Sequence, residues 1–300
     1  MIYFIVISLV FAQLSSALPY VRPRRLPNAE IKANPYADNS FVLRESLRKE
    51  WYTDVNEQKA VNISEKPRDI YSCKGPKMDD YPKMNEWLSF EQLWQINEGE
   101  ISLSNNCTNN RTTDFTKEIK DAIVDVSRES FVDARLILAL IMQESTGNVN
   151  VACTGAENSD CGIMQIRGSR EFQSNSTKES IRHMIEDGVY GTPRNEEVGA
   201  TKGWPGFAHY FDAPDDDLKW VNPDDFWRGN PFAAAHIYNA GAITSDNLTE
   251  ADGGIDKNQY YSNDIASRLS GWNGRRSGCL KSITCSGLGF EGRQCDELDE

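Results

Sequence analysis

Histidine is scarce in this chain, and the few that occur lack the spacing that catalytic metal sites need. His183, His209 and His236 form no HExxH pattern, which would bring two zinc ligands to one helix face. No GxSxG turn, phosphate-cradling glycine loop or paired CxxC set occurs; these would indicate a serine hydrolase, a nucleotide-binding enzyme and a zinc site. We therefore expect neither a metal nor a cofactor.

Positive charge is also in short supply. The sequence has 32 Lys and Arg against 45 Asp and Glu, which leaves a net charge of −13. Nucleic acids and anionic membranes are bound through clustered Lys and Arg, so we expect neither as a partner. The acidity also favours a neutral substrate or an acidic medium.

After its N-terminal stretch the sequence lacks long apolar runs. None of the later runs approaches the roughly 18 residues that a membrane-spanning helix needs. The first run, Ile2–Ala12, is shorter and leads to Ser15-Ser16-Ala17, with small residues where signal peptidase needs them. We predict a signal peptide over residues 1–17 and a secreted, extracellular glycoprotein that acts as a monomer. Five Asn-x-Ser/Thr sequons fit a glycosylating secretory pathway, namely Asn62, Asn106, Asn110, Asn175 and Asn247.

The seven cysteines all lie in the part that would be exported, where oxidation favours disulfides. Three bridges would leave one thiol over. Cys153 and Cys161 could staple a short loop, but the sequence does not fix the pairing. The full set is Cys73, Cys107, Cys153, Cys161, Cys279, Cys285 and Cys295.

Composition divides the exported chain in two. Residues 18–72 are polar, and one helix is expected within them, in Phe41–Tyr52. We interpret this segment as an extension or propeptide, the alternative being a small docking element. We place the main domain over residues 73–295, with an irregular, aromatic-rich insertion over residues 191–230. Such a long irregular stretch is often functional.

Caps and apolar periodicity predict most elements of the main domain. A run that is apolar on every side, Leu136–Met142, indicates a buried helix, and Ile163–Ile166 is predicted to form a short strand. The result is an α+β fold, predominantly α-helical, with a small β element. Helices are expected after Asp114, Asp133, Ser176 and Asn230-Pro231, and a last one runs through Tyr261, Ile265 and Leu269 to Gly271.

One carboxylate stands where its charge is disfavoured. Glu144 follows the apolar run and ends the buried helix, so burial and the negative end of the helix dipole should both raise its pKa. A glutamic acid that stays protonated near neutral pH can protonate the leaving oxygen in glycoside cleavage. Taken alone, a solvated or Arg-paired Glu at a helix end would explain the position as well.

Three short motifs occur in order: Gln143-Glu144-Ser145, Gly162–Ile166 and Ile237–Gly241. Together they resemble the soluble-type lytic transglycosylases and goose-type lysozymes, family 23 of the glycoside hydrolases, and in particular secreted fungal members. The resemblance runs from about residue 73 to 272 and includes Tyr260-Tyr261. It implies a lysozyme-like fold and cleavage of β-1,4-linked N-acetylhexosamine glycans, peptidoglycan first and chitin second, by transglycosylation or hydrolysis.

The resemblance also implies roles for individual residues. Glu144 would act as general acid and then base, Gln165 would hydrogen-bond the saccharide, and Tyr238 and Asn239 would line the cleft. Met164 would pack the cleft wall, although it could equally be core, and Tyr238 could be a core tyrosine. We expect Ser145 to hold the turn after the helix.

Enzymes of this kind often lack a carboxylate nucleophile and use the substrate's own 2-acetamido group, outside the two-carboxylate scheme. Glu157 and Asp160 are candidates to position a water, the alternative being that both are solvated loop acids. A substrate-binding hydroxyl could come from Thr154 or Ser159. Three tryptophans could stack on sugar rings or belong to core or lid packing, namely Trp204, Trp220 and Trp227.

Two other classes of protein remain open from the sequence. One is a catalytically inactive glycan-binding or cell-wall protein that kept the cleft. A binder would have no need of an acid with a raised pKa, so retention of Glu144 with its companion motifs argues against it. The other is a secreted inhibitor or effector that acts through its acidic surface.

Overall fold

The structure, a computed structural model, describes residues 43–62, 74–109, 114–192, 203–212, 218, 221–222, 224–249 and 260–274. Several predictions fall outside the described residues, among them the signal peptide over residues 1–17. The side chain of Cys107 also lies outside them. So do Cys73, Asn110, Trp220, Cys279, Cys285 and Cys295.

The described residues are mostly helical, which confirms the predicted α+β class with a predominance of helix. Two antiparallel two-stranded sheets accompany the helices, β1 (Asp160–Cys161) with β2 (Ile166–Arg167), and β3 (Gly191–Thr192) with β4 (Trp204–Pro205). The helices are α1 (Glu45–Trp51), α2 (Phe90–Asn109), α3 (Thr116–Ser130), α4 (Ala134–Glu144), α5 (Thr177–Tyr190), α6 (Phe207–Asp212), α7 (Pro231–Ala240) and α8 (Tyr261–Leu269).

Helix α4 forms the centre of the core, as its apolar sequence predicts. The Asp133 carboxylate accepts the backbone N–H of Arg135 and caps the first turn, and the residues from Leu136 to Met142 are all buried. Helices α2, α3 and α8 pack around α4. Because neighbouring helices surround α4, the residue at its C-terminal end is held in a fixed position.

The segment before Cys73 contributes to this core, although the main domain is predicted to begin at residue 73. Leu43, Leu47 and Trp51 are buried, and the ring of Trp51 stacks on that of Trp87 with centroids 5.8 Å apart. The helix expected within residues 41–52 is present as α1. The three apolar residues lie four positions apart, the spacing of one helix face, but the polar residues around them hide that this face packs against the main domain.

The strand predicted over Ile163–Ile166 is wrong for its first three residues. Gly162 to Gln165 form a turn, in which Gln165 takes the left-handed backbone conformation (φ 46°), and β2 begins only at Ile166. The apolar residues of the turn are apolar because they are buried, not because they belong to a sheet. Of the pairings that the sequence leaves open, Cys153–Cys161 is present and closes the loop that leads into β1.

The aromatic-rich insertion is more regular than its sequence indicates, because β3, β4 and α6 lie within it. Phe207, Tyr210, Phe211 and Trp227 are buried, so Trp227 packs in the core rather than against a ligand. Elsewhere the helix predicted after Ser176 is present as α5, but the Ser176 side chain makes no capping hydrogen bond to it.

The sequon asparagines that lie in the described ranges differ in their exposure to solvent. Asn62, Asn106 and Asn175 are exposed, whereas Asn247 is half-buried. Across the same ranges, no helix combines the length and apolar character that crossing a bilayer requires.

The packing of α1 predicts that Trp51→Ala destabilises the protein. Loss of a buried indole and of its contact with Trp87 should lower the free energy of unfolding by about 3–5 kcal/mol, measured by urea denaturation. Lys49→Ala, on the exposed side of α1, should change it by less than about 0.5 kcal/mol. Equal stability of Trp51→Ala and the unsubstituted protein would show that the segment is dispensable for the fold.

Candidate active site

Glu144 is the last residue of α4, and the residue is half-buried. Burial is the main cause that raises the pKa of Glu144, to about 7, and the nearby charge of Asp160 adds to it. A hydrogen bond from Tyr261 and the charge of Arg268 act in the opposite direction. The outcome is a carboxylic acid that both holds and releases a proton near neutral pH.

Tyr261, the first residue of α8, donates its hydroxyl to the carboxylate oxygen Oε1 of Glu144. Helix α8 packs against both α4 and α7, and the Tyr261 side chain is buried between them. The sequence interpretation did not assign Tyr261 to the site, although the resemblance extends beyond the three motifs to Tyr260-Tyr261. That extension was the available signal.

A second group of polar side chains lies behind Glu144. The Arg268 guanidinium donates Nε to Oε1 of Gln143 at 2.8 Å, and Gln143 donates Nε2 to Asp264 at 3.0 Å. Arg268 is itself buried and lies over the Trp272 ring, 4.8 Å from its centroid. The residue before Glu144 is thereby fixed to α8, which also presents Tyr261.

Ser145 connects the end of α4 to the turn before β2, as expected for a structural residue. Its hydroxyl donates to the carbonyl of Ile163 at 2.7 Å and accepts the N–H of Gly147 at 3.1 Å. This arrangement sets the position of the turn relative to Glu144.

Gln165 lies on that turn with its side-chain amide already oriented. Its Nε2 donates to the carbonyl of Gly162 at 2.9 Å, and its Oε1 accepts the hydroxyl of Thr154 at 2.7 Å. The side chain is half-buried and Thr154 is exposed. Of the two candidate hydroxyls, Thr154 is therefore joined to Gln165, whereas that of Ser159 donates to Asp160 at 3.1 Å.

Tyr238 is close to Glu144, but its hydroxyl points to the backbone. It donates to the carbonyl of Met164 at 2.7 Å, while burial first and the charge of Glu144 next hold its pKa well above the usual range. Tyr238 thus forms part of the wall around the acid. Asn239, the next residue on α7, is exposed.

Met164 does not meet the prediction that it lines a substrate cleft. Its side chain is fully buried and packs against Gly188 of α5 so closely that a Cβ at residue 188 would lie 2.3 Å from the Met164 sulfur. Met164 contributes to the site only through its carbonyl oxygen, which accepts the hydrogen bond from the Tyr238 hydroxyl. The reading of this side chain as core is the correct one.

The two candidate loop acids differ in their surroundings. Asp160 is half-buried, and this burial raises its pKa; its charge in turn acts on Glu144. Glu157 is exposed on the loop, in a left-handed backbone conformation (φ 62°). Of the pair, Asp160 is the one that belongs to the surroundings of Glu144.

One group of potential metal ligands comes together in the described residues, made of Cys153, Cys161 and Glu171. The two sulfur atoms are joined to each other in a disulfide, so they offer no thiolate to a metal. These residues therefore provide no argument for a metal centre.

Comparisons with family models, with curated proteins and with solved structures find no match to this chain. The resemblance to the glycoside hydrolases therefore rests on its three motifs. What the structure adds is that all three meet around one carboxyl group. Glu144, the turn that carries Gln165, and Tyr238 of α7 are joined through Ser145 and the Met164 carbonyl.

Removing the Tyr261 hydroxyl should raise the pKa of Glu144. The hydroxyl donates to the carboxylate and favours its charged form, so Tyr261→Phe should move the pKa above 7, measured by carbon-13 NMR titration of the Glu144 carboxyl. Tyr260→Phe removes a hydroxyl one residue away and should leave the pKa unchanged. A lower pKa in Tyr261→Phe would contradict the assigned hydrogen bond.

Glu144→Gln should alter how stability depends on pH. With a pKa of about 7 in the folded state and 4.5 as the ordinary value, the unfolded state loses this proton first as the pH rises. The stability associated with neutral Glu144 is therefore complete below pH 4.5, falls between 4.5 and 7, and is lost above 7.

The loss amounts to about 3 kcal/mol by pH 8. Urea denaturation should find Glu144→Gln more stable than the unsubstituted protein at pH 8, with the advantage shrinking by about that amount at pH 4. Glu98→Gln, an exposed acid on α2, should show no such trend. An advantage for Glu144→Gln that is equal at both pH values would argue against the raised pKa.

Proposed function

We propose that this chain is a secreted glycosidase of the lytic transglycosylase and goose-type lysozyme kind, which cleaves β-1,4-linked N-acetylhexosamine glycans. The observation that carries the proposal is the Glu144 carboxyl group, which has a pKa of about 7 and accepts the hydroxyl of Tyr261. Such an acid is suited to protonate a leaving sugar oxygen and then to take a proton back.

Glu144 transfers its proton to the glycosidic oxygen as the bond from that oxygen to the anomeric carbon breaks. The oxygen of the substrate's 2-acetamido group forms a bond to the same carbon, which takes the place of a protein nucleophile. Tyr261 then steadies the Glu144 carboxylate, because its hydrogen bond favours the charged form that exists after proton transfer.

The second half of the reaction restores the acid. The sugar's 6-hydroxyl, or a water, attacks the anomeric carbon as the bond to the acetamido oxygen breaks, and its proton passes to Glu144. Attack by the 6-hydroxyl gives a 1,6-anhydro product, and attack by water gives a reducing end. Asp160 is the carboxylate whose half-buried position beside Glu144 suits it to orient that water.

Three of the predicted residues are suited to hold the sugar. Gln165 and Thr154 form a pre-oriented pair on the turn, which supports a role in hydrogen bonding the saccharide. Asn239 is exposed at the end of α7, beside Tyr238. Peptidoglycan is the first candidate substrate and chitin the second.

Purified protein and its Glu144→Gln variant, incubated with peptidoglycan and with chitin oligomers, test the proposal by mass analysis of the products. Loss of the general acid should lower the rate of cleavage by about 10²- to 10⁴-fold, and Glu98→Gln should retain the full rate. Anhydro ends in the products identify transglycosylation, whereas reducing ends identify hydrolysis.

Equal and negligible release from every glycan by the unsubstituted protein and by Glu144→Gln would overturn the enzymatic proposal. Binding of those glycans without cleavage would then support the alternative, a glycan-binding protein that retains the cleft. The same set of measurements therefore distinguishes a glycosidase from a glycan-binding protein.

A further inference from the structure

The small sheet beside Glu144 carries two opposite charges on one face. Asp160 of β1 and Arg167 of β2 are paired directly across the antiparallel ladder, so their side chains project on the same side. Cys161 and Ile166, paired next to them, are buried on the other side. Arg167 therefore lies on the outer face, directly opposite Asp160, whose charge acts on Glu144.

The second sheet continues this face. The hydroxyl of Thr192 in β3 donates to the carbonyl of Arg167 at 2.8 Å, and it accepts the N–H of Trp204 in β4 at 3.1 Å. A single buried hydroxyl thus joins the two sheets side by side. Trp204 is thereby placed next to Arg167.

The Arg167 guanidinium lies over the half-buried ring of Trp204, 5.3 Å from its centroid. It is exposed, and no carboxylate of the described residues forms an ion pair with it, although its charge opposes the rise in the pKa of Asp160 on the neighbouring strand. Six other arginines of the described residues do have carboxylate partners, namely Arg44, Arg128, Arg135, Arg170, Arg182 and Arg228.

We propose that Arg167, held in place by Trp204, is a binding subsite for a carboxylate carried by the glycan that Glu144 cleaves. The planar guanidinium offers parallel N–H donors that match a carboxylate. Stacking on an aromatic ring holds this long side chain in place before the ligand arrives, which lowers the entropic cost of binding.

This inference rests on the proposed function and narrows its substrate class. Alternate sugars of peptidoglycan carry carboxylates, on the lactyl group where no peptide is attached and on the peptide where one is, whereas chitin has none. A cation on the outer face of the sheet that carries Asp160 favours the former. Since the protein's net charge of −13 repels anionic polymers at long range, a local cation would be needed to accept one.

The test measures binding in the Glu144→Gln background, so that no ligand is consumed. Calorimetric titration uses a peptidoglycan tetrasaccharide with free carboxylates, the same compound with those carboxylates amidated, and a chitin tetrasaccharide. Arg167→Gln should weaken binding of the first by about tenfold or more and change that of the other two by less than twofold.

Two further variants refine the test. Trp204→Leu should weaken binding of the free-carboxylate glycan about threefold, because Arg167 then loses its support. Arg128→Gln removes the same charge from an exposed arginine on α3 and should leave all three affinities unchanged.

Equal losses for all three glycans in Arg167→Gln, or no loss for any, would overturn the inference. So would failure of the Glu144→Gln protein to bind any of them. Cleavage by the unsubstituted protein is measured separately, so cleavage without carboxylate discrimination removes only the subsite. Discrimination without cleavage removes only the catalytic proposal.

Discussion

The arrangement of this protein depends on one constraint, which is that the carboxyl group of Glu144 is removed from water. Desolvation of an ionised carboxylate is costly, and a buried acid responds by keeping its proton. Helix α4 imposes that burial on Glu144, because α2, α3 and α8 surround it. The other groups near the carboxyl adjust the result, and the balance leaves the pKa of Glu144 close to neutrality.

The adjusting groups are divided between two elements. Helix α8 supplies both influences that favour the charged form, the hydroxyl of Tyr261 and the charge of Arg268, while β1 supplies Asp160, which opposes it. A displacement of α8 relative to α4 would thus change the acidity of Glu144 without touching the glutamate. The Gln143–Arg268 hydrogen bond resists such a displacement, since it ties the last turn of α4 to α8.

The sequence was most informative where structure is local. Caps such as Asp133 and Asn230, and the apolar run of α4, depend on neighbouring residues, and those helices are present as predicted. The pairing of Glu144 with Tyr261 joins residues 117 positions apart, and no local pattern encodes such a contact. Likewise, the few apolar residues of α1 gain their meaning only from the core that receives them.

The surface charge and the site give different indications about the substrate. The overall acidity favours a neutral ligand, but that sum describes the field far from the protein, which salt screens beyond about 10 Å. Contacts at the site depend on individual groups, and Arg167 with Trp204 provides a cation there. Net charge therefore constrains the approach of a ligand more than its recognition.

The contact between Met164 and Gly188 shows that the site depends on a helix outside the three motifs. Gly188 leaves room on α5 for the Met164 side chain, and the carbonyl of Met164 positions Tyr238. Helix α5 contains none of the three motifs, yet it sets the depth of the turn that connects them. Grafting the motifs into another helical scaffold would therefore fail to reproduce the site unless α5 were transferred with them.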